Sequence, residues 1–118
     1  MKHILVPTDF SACADNALEF AKQSAKILPA KITLLHSFEI VDNIYTDYMG
    51  VNKEFNRAVL DEAEIKLGKL KQEAAEKEGL EIETMISKDA LLDAIKKSAE
   101  TIKADLIIMG TQGAKGII

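Results

Sequence analysis

Short apolar runs alternate with longer stretches of helical periodicity along this whole sequence, and few folds tolerate that order. Residues 3–8 form an apolar run too short for a helix, which reads as a buried strand. From Ser11 the period becomes helical: Ala14, Ala17, Leu18, Ala21, Ala25 and Leu28 share a face, and Pro29 stops the run. Ser11 is placed to accept a free backbone N–H as the N-cap. Residues 32–38 read as a second apolar strand, and residues 39–50 show no clean period and read as a loop. A long helix is expected over residues 51–78, with Phe55, Val59, Ala63, Leu67, Leu70 and Ala74 on its apolar face and Gly79 just past its end. Residues 80–86 alternate between apolar and polar, as a half-buried strand does. Asp89 is expected to cap a third helix striped by Leu91, Leu92, Ile95, Ala99 and Ile102. Residues 105–109 form a fourth apolar run, followed by a loop carrying Gly110, Gly113 and Gly116.

The order β-α-β-α-β-α-β implies an α/β fold, an open parallel sheet joined by right-handed helical crossovers. The first, second and fourth strands are nearly continuous apolar runs, as expected where helices cover both faces. The third carries Glu81 and Glu83 and suits an edge. Strand order 3-2-1-4 satisfies both conditions and puts a switch point between the first and fourth strands. Ligands of open α/β sheets bind at the carboxyl ends of strands beside such a point. That location is built from Pro7, Thr8, Asp9 and the segment from Gly110 to Gly116.

A chain of 118 residues suits a single domain over 1–118, and 47% apolar residues supply a core for it. The net charge of −4, with both signs dispersed, argues against nucleic acid and gives no pull toward an anionic membrane. No apolar stretch approaches the roughly 20 residues of a membrane span. One cysteine, Cys13, allows no internal disulfide, and the amino-terminal residues lack a signal-peptide pattern. A cytoplasmic protein is expected.

Few residues suggest chemistry. Gly110-x-x-Gly113 follows a strand, and its N–H groups suit either an anion nest or an ordinary tight turn. Asp9 ends the first strand, where its carboxylate could accept from a base or hydroxyl, help hold a divalent metal, or favour the start of the next helix. Cys13 reads as a small structural residue, and His36 as a packed, hydrogen-bonded strand histidine. No P-loop, dinucleotide fingerprint, nucleophile–base arrangement or metal-ligand spacing is present, so no catalytic residue is assigned.

Taken together, Ile4-Leu5-Val6-Pro7-Thr8-Asp9-Phe10-Ser11, Leu34-Leu35-His36 and Ile107-Ile108-Met109-Gly110-Thr111-Gln112-Gly113 resemble the universal stress protein family in order and spacing. The resemblance implies a Rossmann-like, adenine nucleotide alpha hydrolase-like fold and a stress-response module that binds ATP or another adenine nucleotide, with Mg2+ accompanying it. It places Asp9 and the backbone at Ser37 by the adenine and ribose, Gly110 and Gly113 by the ribose and phosphates, and Pro7 and Thr8 near the ligand. ATP-binding members continue as Gly-x2-Gly-x9-Gly-[Ser/Thr]. Here the second Gly-[Ser/Thr], the last helix and the usual fifth strand would fall past Ile118. A truncated or tandem form with weak or absent ATP binding is therefore expected. A homodimer is expected too, with a nucleotide-independent dimerisation domain as the alternative function and at most a slow ATPase as an activity.

Overall fold

The structure, a computed structural model, describes residues 1–40 and 48–110. Its centre is a pair of parallel ladders. β1 (Lys2–Pro7) lies beside β2 (Ala30–Ser37), and β2 lies beside β3 (Ile82–Ser87). Each ladder holds six residue pairs, with Ile4 opposite Ile32 and Ile32 opposite Ile82. On the other flank β4 (Leu106–Ile107) joins β1 through two pairs, Ile4 with Leu106 and Leu5 with Ile107. The order β3-β2-β1-β4 and the parallel sense are those the sequence pattern implies.

Crossover handedness distributes the helices. The steps from β1 to β2 and from β2 to β3 run the same way across the sheet. Right-handed connections therefore place α1 (Ala12–Ile27) and α2 (Val51–Glu78) on one face. The step from β3 back to β4 reverses, so α3 (Leu91–Ile102) lies on the other. The core follows this division. Ile4, Val6, Ile32, Leu34 and Ile82 meet Ala17, Leu18 and Ala21 of α1 and Leu67 and Ala74 of α2. Leu5 and Leu35, pointing the opposite way, meet Ala94 and Ile95 of α3.

Helix ends match their residues in part. The Ser11 hydroxyl accepts the Ala14 N–H at 3.2 Å and caps α1. Gly79 ends α2 at φ 65°, a left-handed conformation glycine adopts without penalty. Beside it, Glu78 receives Lys22 at 3.2 Å and Lys26 at 3.3 Å from α1. Burial pushes the Glu78 carboxyl up, and the two lysines outweigh it and hold the group below its ordinary value.

Several expectations are corrected. Leu28 is 65% exposed, because α1 ends at Ile27 and Leu28 turns out in extended backbone. Phe55 is exposed as well. The 28 residues of α2 reach about 42 Å against about 20 Å for a six-residue strand, so its amino half overhangs the sheet. Ala90, not Asp89, is the N-cap of α3, while the Asp89 carboxylate faces Ser87 and Lys97. Leu91 and Leu92 are exposed, and the buried stripe of α3 is Ala94, Ile95 and Ser98. The fourth strand is two residues long and exposed at both, not covered on both faces, because α3 lies over Leu5 and Leu35 and leaves the flank beyond β1 open.

Candidate functional site

The ladder between β1 and β2 continues one step past Pro7, where the buried Thr8 donates its N–H to the Leu35 carbonyl at 2.7 Å. The chain then turns sharply toward α1. Two side chains make that turn. The Thr8 hydroxyl accepts the Phe10 N–H at 3.0 Å, and an Asp9 carboxylate oxygen accepts the Ser11 N–H at 3.0 Å. Phe10 between them has φ 65°, a left-handed conformation uncommon for an aromatic residue. The Ser11 hydroxyl, and then its N–H, hold the Asp9 carboxyl below its ordinary value. Asp9 is thus an exposed, ordered and ionised acceptor at the carboxyl end of β1.

Gly110 reaches this turn from the other flank. Ile108 donates to the Leu5 carbonyl at 3.0 Å and continues the line of β4 toward α1. A Cβ on Gly110 would strike the Cys13 carbonyl, with the carbonyl carbon at 2.5 Å and the Ala14 nitrogen at 3.1 Å. Gly110 is not among the positive-φ glycines, so close backbone approach is what requires it. The first turn of α1, four residues past Asp9, and the exit of β4 therefore abut.

Ser37 ends β2 half-buried and in register with Ser87 of β3. Gly113 lies outside the described residues. Among the described residues no group of three His, Cys, Asp or Glu side chains could hold a metal ion. A cavity of about 1000 Å³ is walled by Phe38, Ile40, Asn52, Arg57 and Lys88. Ile40 and Gly50 on its wall flank residues that are not described, so its volume is not that of a closed site.

Sequence reasoning placed His36 as a packed, hydrogen-bonded residue but missed its partner. Its Nδ1 lies 2.8 Å from the Thr8 carbonyl oxygen, and its ring stands 4.7 Å from that of Phe10. Phe38 stacks beyond it at 6.3 Å, and the Lys66 ammonium sits 5.2 Å from the centre of the Phe10 ring. The missed partner is a backbone carbonyl on another element, which no local pattern around His36 marks.

Among the described residues no helix is long and apolar enough to cross a membrane. Comparison with known proteins agrees with this architecture. Universal stress protein MJ0531 of Methanocaldococcus jannaschii is 29% identical over 116 residues, which cover 98% of this chain and 68% of that protein. The solved structure of universal stress protein UspA from Lactobacillus plantarum superposes with a TM-score of 0.81 at 24% identity, covering 98% of this chain and 83% of the other. A universal stress protein solved in complex with cAMP gives a TM-score of 0.63 at 23% identity, covering 98% and 80%. The universal stress protein family matches residues 1–118. With that match over the whole chain and the strand order β3-β2-β1-β4, the chain belongs to the universal stress protein family.

Proposed function

We propose that this chain is a stress-response module that binds an adenine nucleoside or nucleotide at the carboxyl ends of β1 and β4, by association and without turnover. The observation that carries the proposal is the ionised Asp9, fixed by Ser11 beside the close approach of Gly110 to α1. A carboxylate held this way accepts hydrogen bonds from ribose hydroxyls or an adenine amine, both of which are donors. In this reading the backbone at Ser37 joins Asp9 on the adenine and ribose side, Pro7 and Thr8 lie near the ligand, and Gly110 lines the ribose and phosphates. A relative solved with cAMP supports an adenine ligand. Mg2+ would enter with the phosphates of ATP.

Calorimetric titration of the 118-residue chain with adenosine and with ATP is the test. The expected result is weak binding of both, within about tenfold of each other, because each tenfold needs about 1.4 kcal/mol of extra contact. Tight, magnesium-dependent ATP binding far above adenosine would overturn the emphasis on the nucleoside side. No binding of either would overturn the nucleotide reading. A second reading, nucleotide-independent dimerisation in the cytoplasm, is favoured by the exposed Leu106 and Ile107 on the outer edge of β4.

A further inference from the structure

We propose that His36 is a positioning residue: its imidazole, gripped between the Thr8 carbonyl and the Phe10 ring, latches the turn that presents Asp9 to ligand. The inference rests on the nucleotide reading above for its functional part, and on the turn alone for its structural part.

Three observations converge on this side chain. A carbonyl oxygen only accepts, so at 2.8 Å from the Thr8 oxygen Nδ1 must carry the proton. Of the two neutral tautomers, this contact selects the one that carries its proton on Nδ1. The same Thr8 uses its hydroxyl to hold the Phe10 N–H, and its own N–H is spent on Leu35. Every polar group of Thr8 is therefore engaged, and the carbonyl is the group tied to another element by a side chain. Third, Phe10 occupies a left-handed conformation that is unfavourable for a bulky residue, and such a conformation persists only where its surroundings enforce it. Here the enforcement is the His36 ring on one side at 4.7 Å and the Lys66 ammonium over the Phe10 ring. Lys66 is itself paired to Glu62 at 2.9 Å, so it is braced from α2.

The consequence for Asp9 is geometric. Asp9 sits between the two residues that His36 holds, Thr8 through its carbonyl and Phe10 through its ring. With both neighbours fixed, the Asp9 backbone is fixed, and the carboxylate needs only the Ser11 N–H to complete its orientation. Without the latch, Phe10 can relax to negative φ, which breaks its N–H bond to the Thr8 hydroxyl and releases Asp9 from its place in the turn. β2 thereby sets the geometry of a site built on β1 and β4.

The experiment compares wild type with His36→Asn and His36→Leu. Asparagine offers an amide N–H close to the position of Nδ1, and leucine offers none. Nitrogen-15 spectra of the free wild-type protein should show His36 as the Nδ1–H tautomer. The Phe10 and Ser11 amide shifts should move in His36→Leu and return most of the way in His36→Asn. Adenosine affinity should fall about tenfold in His36→Leu and recover to within about threefold in His36→Asn, the scale of one buried hydrogen bond and its neighbours. An Nε2–H tautomer in wild type, unmoved Phe10 and Ser11 amides in His36→Leu, or a moved turn with unchanged adenosine affinity would each overturn the latch. If His36→Leu fails to fold, the tautomer and the His36→Asn shifts decide. If wild type binds no adenosine, the nucleotide reading fails, and the latch is judged by the amide shifts of the free protein.

Discussion

Gly110 lies against the Cys13 carbonyl so closely that no β-carbon fits between them. The contact joins the exit of β4 to the first turn of α1. Gly110→Ala should destabilise the fold by about 1–3 kcal/mol, because the obstructing atoms are backbone and yield only if α1 shifts. Gly68→Ala is the control. Gly68 lies within α2 with nothing within 4 Å of a built Cβ, and alanine there should stabilise by up to about 1 kcal/mol. Urea unfolding midpoints of the two variants, at constant m-value, check the pair.

Asp9→Ala should separate binding from stability. The exposed carboxylate is held within the turn by Ser11, so its loss should cost less than about 1.5 kcal/mol of stability. Adenosine binding should weaken at least about tenfold, because a charged acceptor is removed from the ligand's donors. Equal affinity in wild type and variant, measured by calorimetry, would remove Asp9 from the site.

Acid should act on the tie between α1 and α2. The Glu78 carboxyl is held below its ordinary value of 4.5 by Lys22 and Lys26, so its contribution to stability is complete above pH 4.5 and is lost as pH falls through the lower folded value. Glu78→Gln should be less stable than wild type by about 0.5–1 kcal/mol at neutral pH, a value kept small because desolvation of the carboxylate offsets much of its attraction to the lysines. The two proteins should converge as pH falls below that range. A difference that persists in acid, read from thermal melts across pH, would show that the ion pairs are not its source.

How legible these features were in the sequence depended on how local their causes are. The sheet order followed from the alternation of runs and from the glutamates of the β3 edge, because burial on one or both faces leaves its mark within a single strand. Ser11 and Gly79 were legible because a cap is decided within one turn of helix. Asp89 was displaced by one residue, since Ser87 and Lys97 compete for its carboxylate. Phe55 was misplaced because a periodic face says nothing about how far the sheet beneath it extends. The reason for Gly110 and the partner of His36 were out of reach, because each is set by a backbone atom on another element. Asp9 was legible as a position, while its ordering by Ser11 needed the conformation of the turn.

The outer edge of β4 should drive self-association. Leu106 and Ile107 are 49% and 43% exposed, and no other described strand pairs with that side. Leu106→Lys and Ile107→Lys should shift the protein to monomer in light scattering across a dilution series, because edge lysines discourage strand addition. Ile108 is a poor choice for this test, since it packs against the core shared with α1 and α2. A monomer at every concentration, or an oligomer indifferent to both substitutions, would refute the association.

Two residue pairs hold β4 to β1, where six hold β1 to β2. The candidate site straddles that inequality, with Asp9 on the firmly held side and Gly110 on the weakly held one. Local opening of a protein begins where the fewest bonds must break together, so the β4 side should come away while β1, β2 and β3 remain intact. A ligand that bridges Asp9 and Gly110 binds only the closed form. It therefore repays the opening free energy of β4 and merges two units of unequal durability into one that unfolds as a whole.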